Sequence, residues 1–308
     1  MLILRGLHSP DQKQVALTIG NFDGVHLGHQ ALLKQLGVAA QLRGLPTAVL
    51  VFEPHPREFF APQQAPARLT SMREKLELFA ALGMDRVHVC RFNSSFAQMS
   101  ATDFSQSLHE KLAAKFVLIG DDFRFGSKRS GDFLLMEKIG AQLGFAVQAM
   151  PSVLGDGVRI SSTAVRAALA QGDLRMAQRY LGRDYSISGR VEHGNGLGKQ
   201  LGFPTANIQL KHNRPPLSGI FVVRVQGDCL PPTQGVASLG VRPTVKANGK
   251  PVLEVHLFDF ASDIYNKHLC VDFLHKLRDE EKYPDLPSLT RQIAQDVHNA
   301  RQWFIQHD

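Results

Sequence analysis

Long hydrophobic runs are missing from this sequence. Ala48 to Phe52 is typical of its longest, far short of the ~18 apolar residues of a membrane-spanning helix, so a membrane protein is not expected. The N-terminal stretch Met1-Leu2-Ile3-Leu4-Arg5-Gly6 is too short for the apolar core of a secretory signal, and a cytoplasmic protein is expected. Cysteine is scarce as well. Cys90, Cys229 and Cys270 are scattered and odd in number, which argues against a disulfide framework and a CxxC metal site. No internal repeat or low-complexity linker is visible, so a fibrous or repetitive chain is excluded. A Walker GxxxxGK[ST] loop is also missing, because Lys199 is followed by Gln200.

What is present suits a folded enzyme or binding protein. The chain has 308 residues, 44% hydrophobic and 20% charged, with 19 Phe, a composition that buries a core rather than staying disordered. One domain holds roughly 100–200 residues, so two domains are expected, with one large domain as the rival. The balance of 35 Lys+Arg against 28 Asp+Glu gives +7 and favours an anionic partner.

Up to Gly182 the pattern alternates. Val15 to Ile19, Thr47 to Phe52, Val87 to Cys90, Phe116 to Ile119 and Phe145 to Met150 read as short strands. Helical patterns fall between them: Gly28 to Arg43, a helix from the Ser71–Glu74 capping box to near Gly83, Thr102 to Ala114, and Phe133 to Leu143. This alternation predicts right-handed βαβ units and a parallel sheet. Two helices, Ser162–Ala170 and Leu174–Leu181, follow. Beyond Gly182, Tyr185 to Val191, Gly219 to Val225, Val252 to Phe260 and Leu269 to Leu274 are strand-like and punctuated by Gly and Pro, which predicts a small antiparallel barrel. A closing helix is expected, with Ser288 as its cap and Leu289, Ile293, Val297, Ala300 and Phe304 as one apolar stripe docked on the barrel. The boundary falls near residues 182–185, giving domains 1–183 and 184–308.

The string Gly20-Asn21-Phe22-Asp23-Gly24-Val25-His26-Leu27-Gly28-His29 follows a buried strand and opens a helix. Ligands of open α/β sheets bind beyond the carboxyl ends of strands. Glycines admit a phosphate to the backbone, and the helix N-terminus offers free N–H groups. His26 and His29 can donate hydrogen bonds to phosphate oxygens as charge develops. The pair alone is weak, since about half an HxxH pair arises by chance in such a chain, and no third metal ligand stands nearby. The whole string carries the signal. It matches the H-x-G-H signature of nucleotidyltransferases, and GNFDGVH resembles the bacterial FAD synthetase module.

Three further segments extend that resemblance. Phe52-Glu53-Pro54-His55-Pro56 stands where the family has a His-Pro loop near the nucleotide; a rigid turn is the structural alternative for His55. Gly120-Asp121-Asp122-Phe123-Arg124-Phe125-Gly126 resembles the family's G-x-D-F-x-F-G segment, followed by a basic loop of Arg124, Lys128 and Arg129. Ile160-Ser161-Ser162-Thr163-Ala164-Val165-Arg166 resembles I-S-S-T-x-x-R, where hydroxyls and a bidentate Arg hold phosphates. The resemblance implies a Rossmann-like nucleotidyltransferase domain that transfers adenylyl from ATP to FMN. His26 and His29 are then catalytic at the α-phosphate, and Mg²⁺ shields the leaving pyrophosphate. Gly20, Asn21, Phe22, Asp23, Gly28, His55, Ser162, Thr163 and Arg166 bind the nucleotide; Asp122, Phe123 and Phe125 bind flavin.

The second part carries Gly189-Arg190-Val191-Glu192-His193-Gly194-Asn195-Gly196-Leu197-Gly198-Lys199, then Phe203-Pro204-Thr205-Ala206-Asn207. Gly-rich loops are weak signals, but Thr205 and Asn207 alternate in an extended segment, so both side chains can face one Mg²⁺. Leu253, Val255 and Leu257 share one face of a strand, with Glu254 and His256 on the other. The PTAN string resembles riboflavin kinase. That resemblance makes Thr205 and Asn207 metal ligands, Glu254 the general base for the ribityl hydroxyl, Gly194, Gly196, Gly198 and Lys199 the nucleotide loop, and Phe221, Arg278 and Glu280 flavin contacts. This sequence departs from the family's pattern at Ser238-Leu239 for Asn-Ile, Phe221 for Tyr, Lys199 for Arg, and Asn266 for Gly. Asn tolerates the last site if the backbone is left-handed.

Both motif sets stand in family order along nearly the whole chain. They imply a bifunctional enzyme that makes FMN from riboflavin and ATP, then FAD from FMN and ATP. Small molecules are its expected partners, with no nucleic acid and no membrane, and the chain is expected as a monomer or weak homo-oligomer. An RNA-directed nucleotidyltransferase predicts a basic stripe interleaved with aromatics, and only the Arg124–Arg129 cluster is found. A non-catalytic flavin binder predicts lost His26, His29, Thr205, Asn207 or Glu254, and all are present.

Overall fold

A computed structural model describes residues 1–155, 157–194, 196–211, 214–228, 230–241 and 251–307. Asn195, Cys229 and the Arg242-Pro243-Thr244 segment lie outside the described residues. By packing, the chain divides into Met1–Pro66 with Met72–Ser161, and Ala67–Ser71 with Ser162–Asp308.

The first unit runs β1 (Leu2–Arg5), β2 (Val15–Ile19), α1 (Leu27–Gln41), β3 (Thr47–Glu53), α2 (Pro56–Phe60), α3 (Met72–Ala81), β4 (Arg86–Arg91), α4 (Ser94–Ala97), α5 (Ala101–Leu112), β5 (Ala114–Gly120), α6 (Phe133–Leu143), β6 (Ala146–Met150), β7 (Leu154–Gly155) and β8 (Val158–Arg159). A parallel sheet forms in the order β1-β4-β3-β2-β5-β6. Strand β2 is buried at every position, as a strand covered on both faces must be. Leu33 and Leu36 of α1 pack with Ala16, Val49 and Phe116 on one face. Leu108 of α5 and Met136 of α6 pack with Leu17, Leu50 and Val117 on the other. The chain leaves β2 for β3 and β4, then returns to β5 on its far side. The turns after β2 and β5 therefore flank the switch point, where open α/β sheets take ligands. Strand β1 is an addition to the sequence reading. Its Leu2 and Ile3 lie exposed on the sheet edge, so no buried pattern announces it.

The second unit runs α7 (Ser162–Ala170), α8 (Leu174–Leu181), β9 (Tyr185–Glu192), α9 (Leu197–Gln200), β10 (Ala206–Ile208), β11 (Gly219–Gly227), β12 (Leu230–Val241), β13 (Pro251–Leu257), β14 (His268–Arg278) and α10 (Leu286–His307). The strands close an antiparallel barrel in the order β10-β13-β12-β11-β14-β9. Closure leaves no unpaired sheet edge. Val165, Leu169, Ala177 and Leu181 of α7 and α8 join the cluster formed by the barrel interior. The packing division thus falls at Ser161/Ser162, while the change of periodicity falls at Gly182. Helix α10 lays Ala300 and Phe304 on Ile220, Val222, Val236 and Phe258 outside the barrel. Its first turn is capped by Asp285, whose carboxylate accepts the Ser288 amide at 2.8 Å, rather than by Ser288. Asn266 adopts φ 63°, the left-handed backbone that Asn tolerates.

Candidate active sites

In the first unit, the fully buried β2 delivers the chain into a tight turn. Phe22 and Val25 take φ of 48° and 40°, a left-handed conformation that costs a non-glycine residue about 1 kcal/mol or more. Phe22 is held there by burial, its ring edge-on to Phe79 at 5.4 Å and tilted against His29 at 5.0 Å. His26 then caps α1, its Nδ1 accepting the His29 amide at 3.4 Å. An Nδ1 that accepts leaves the neutral ring's proton on Nε2, so the cap fixes which nitrogen donates. The two imidazoles stack with centroids 3.7 Å apart. Gly28 is required beside them, because a Cβ there would crowd the His26 ring at 3.2 Å and the Ile160 carbonyl at 3.4 Å.

Burial holds His29 well below the ordinary imidazole range, and the charges of His26 and Lys75 push the same way. His29 is thus a neutral imidazole at pH 7. Lys75 of α3 donates to the Asn21 carbonyl at 2.7 Å, bringing a buried cation to the turn. Among the described residues, none gives a hydrogen bond to the buried His29 Nδ1 or Asn21 Oδ1, and an unpaired buried polar atom costs about 1–3 kcal/mol. Among the described residues, no three His, Cys, Asp or Glu side chains gather into a metal-binding group.

The other segments of this unit are placed as follows. His55 caps α2 in a capping box: its Nδ1 accepts the Arg57 amide at 3.1 Å and its own amide donates to Glu58 at 3.1 Å. Asp122 pairs with Arg159 of β8 at 2.6 Å. Phe123 stacks on Phe125 at 5.6 Å. Phe125 itself is buried in the core, closed over by Gly131, where any Cβ would strike its ring. Arg124, Lys128 and Arg129 are exposed.

Rings that the motif reading passed over continue from this pair. Phe125 touches Phe104, and contacts run through Phe96 to Phe92, Phe59 and Phe60, each step 5.2–5.9 Å between centroids. The wall stands at the carboxyl ends of β3, β4 and β5 and exposes Phe60 by 67%. Its signal in the sequence is the Phe-rich segment after each of two strands, Glu58-Phe59-Phe60 and Arg91-Phe92 to Phe96. Ser162, Thr163 and Arg166 fall in the second unit at the start of α7. There the Arg166 guanidinium donates to the Ala67 carbonyl at 2.5 Å.

In the barrel, register assembles what sequence separates. Glu192 lies opposite Asn207, Asn207 opposite Glu254, Glu254 opposite Ser238, Ser238 opposite Ile220, and Ile220 opposite Arg278. Directly paired residues share a face, so these six form one row. Their strand neighbours Ala206, Leu253, Val255, Ala237 and Leu239 fill the interior, so the row faces outward. The Gly-rich loop closes on it. A Cβ at Gly194 would overlap the Asn207 amide, and one at Gly198 would lie 3.2 Å from the Thr205 hydroxyl. Lys199 is exposed on α9, behind Gly196 at φ 72°.

At the far end of the row, Arg278 is clamped by Asp296 of α10, with contacts of 2.9 and 2.6 Å. Burial pushes the Glu280 carboxyl up, offset by a hydrogen bond from Ser238 and by the Arg278 charge. The carboxylate lies directly on Gly240, where a Cβ would overlap it. Ser238, a departure from the family's pattern, is thus a Glu280 partner. Phe221 points the other way. It is fully buried in the barrel, edge-on to Phe273 at 5.2 Å, and packs the core instead of presenting a face to a ligand.

Residues 8–164 match the FAD synthetase family model and residues 181–304 the riboflavin kinase model. A bifunctional riboflavin kinase/FMN adenylyltransferase of Escherichia coli (strain K12) is 47% identical over 308 residues, covering 99% of this chain and 98% of that protein. The chain belongs to the bifunctional riboflavin kinase/FMN adenylyltransferase family. Members from Pseudomonas fluorescens and Haemophilus influenzae are 47% and 46% identical, over 98% and 99% of this chain and 97% and 99% of their own. A crystal structure of a protein described as a macrolide-efflux protein, from Streptococcus pneumoniae, shares the fold with a TM-score of 0.83 at 27% identity. It covers 98% of this chain and 100% of that one. As a riboflavin kinase/FMN adenylyltransferase, the chain phosphorylates riboflavin to FMN through its C-terminal part and adenylylates FMN to FAD, releasing pyrophosphate, through its N-terminal part. Among the described residues, no helix is long and apolar enough to cross a membrane.

Proposed function

We propose that the two chemistries are carried by the residues identified above, in the domains 1–183 and 184–308. In the first, an FMN phosphate oxygen attacks the α-phosphorus of ATP, a bond to that oxygen forms, and pyrophosphate leaves. His26 and His29 donate hydrogen bonds to the charge that builds there, His29 as a neutral imidazole. Donors fixed in a water-poor site cost no reorganisation when the charge develops. The capped His26, with its proton on Nε2, supports this role. Gly20, Asn21, Phe22, Asp23, Gly28 and His55 shape the nucleotide site, and Ser162, Thr163 and Arg166 are assigned to phosphate on their motif. Asp122 and Phe123 contact the flavin ring, with Phe125 backing Phe123.

In the barrel, Glu254 takes the ribityl hydroxyl proton as that oxygen attacks the γ-phosphorus of ATP, and ADP leaves. The observation that carries this reading is the outward row, which sets Glu254 beside Asn207 and in line with Arg278. Thr205 and Asn207 offer hard oxygen ligands of the kind Mg²⁺ takes beside substrate phosphates, and glycines lie close against both. They would hold Mg²⁺, which neutralises phosphate charge. Gly194, Gly196, Gly198 and Lys199 follow the nucleotide; Arg278 and Glu280 position the flavin. The enzyme acts in the cytoplasm on small molecules, without nucleic acid or membrane, as a monomer or weak homo-oligomer.

The test separates the sites. Glu254→Gln lowers riboflavin phosphorylation by about 10²–10⁴-fold and leaves FAD formation from supplied FMN unchanged. His29→Ala does the reverse, by about 10²–10³-fold. Chromatography of riboflavin, FMN and FAD reads both, and loss of both activities in either variant overturns the separate assignments.

A further inference from the structure

His256 has no role in the chemistry above, yet it reaches the metal-binding segment directly. It stands on the outward face of β13 two positions beyond Glu254, and its Nδ1 lies 2.8 Å from the Pro204 carbonyl oxygen. That oxygen only accepts, so Nδ1 must carry the proton. The bond holds a part of the chain that lies outside regular structure. Phe203, Pro204 and Thr205 precede β10 and belong to no helix or strand. On the loop side they are tied by the Phe203 amide, which donates to the Gly198 carbonyl at 2.8 Å. The ring is held in turn by Phe203 and Phe258, edge-on at 5.7 and 5.9 Å. Asp259, fixed by Arg301 through contacts of 2.9 Å each, supplies a negative charge nearby.

We propose that His256 is a positioning residue of the kinase: it fixes the Pro204–Thr205 peptide so that the Thr205 hydroxyl and Asn207 amide meet the nucleotide-bound cation together. This rests on the assignment of Thr205 and Asn207 above. A hydrogen bond to a backbone carbonyl orients the peptide and leaves the chemical step to other groups, so its loss should weaken nucleotide binding more than turnover.

The experiment uses the whole chain with His256→Leu, which removes the donor, and His256→Asn, whose amide N–H replaces that of Nδ1. Riboflavin phosphorylation gives KM for ATP and kcat, and calorimetry with MgADP, without flavin, gives affinity independently of activity. In the Leu variant the ATP KM should rise about tenfold and MgADP affinity should fall about tenfold, with kcat within about twofold. The Asn variant should recover most of the loss. Unchanged MgADP affinity in the Leu variant, or an Asn variant as impaired as Leu, overturns the proposal. If the Leu variant does not fold, the ring ¹⁵N shifts of the unmodified protein decide, since an unprotonated Nδ1 overturns the bond. Should the unmodified protein bind MgADP but leave riboflavin untouched, the kinase assignment fails, while MgADP affinities of the variants still judge His256.

Discussion

At Gly194 the missing side chain is part of the proposed site, because a Cβ there would occupy the space of the Asn207 amide. Gly194→Ala should displace that amide and lower riboflavin phosphorylation by about 10²-fold, the usual cost of ångström-scale misplacement. FAD formation from supplied FMN should stay at its original rate in the same assay. A comparable dependence on neighbours governs His29. Its residue type and spacing are plain in the sequence, but its neutral state follows from burial first and from the nearby Lys75 charge. Phe123 and Phe125 make the same point. The motif presents them as equivalent, whereas packing sends Phe125 into the core and leaves Phe123 half-exposed. Residue identity limits the chemistry available; the surroundings decide which form of it is used.

The central strands of the parallel sheet were legible because both of their faces are covered, which forces near-continuous apolar runs such as Val15–Ile19 and Thr47–Phe52. Strand β12 was not. It begins Leu230-Pro231-Pro232 and contains Gly235 and Gly240, residues that normally end strands. The prolines are tolerated because they sit at the strand's first positions. Gly240 is needed where Glu280 lies on the backbone. Within the sheet, β4 carries an element-level liability in His88, which is fully buried and pushed by burial from 6.5 down to about 4. A histidine held below its unfolded pKa takes up a proton on unfolding, so stability falls as pH drops from about 6.5 toward 4. The full effect is up to about 3 kcal/mol. His88→Leu should therefore lose less melting temperature than the unmodified protein between about pH 7 and pH 4.5, as thermal unfolding followed by circular dichroism would show. Equal losses would remove His88 as a source of acid sensitivity.

For the whole molecule, two activities on one chain make a complementation experiment possible. Glu254→Gln alone should leave riboflavin unreacted, and His29→Ala alone should stop at FMN. Mixed in equal amounts with riboflavin, ATP and Mg²⁺, they should form FAD, with FMN from one variant consumed by the other. No FAD from the mixture would show that FMN does not reach the second protein through solution. The +7 charge accords with ATP, FMN and pyrophosphate as ligands. Sequence by itself determined the two fold classes and singled out the H-x-G-H turn, the PTAN segment and Glu254 as candidates, because local periodicity and short motifs are properties of neighbouring residues. Only the tertiary structure decided that α7 and α8 pack with the barrel, that a wall of phenylalanines stands beyond the sheet, and that Asn207, Glu254, Ser238 and Arg278 share a row. These depend on burial and strand register, which join residues far apart in the chain and so leave no local pattern to read.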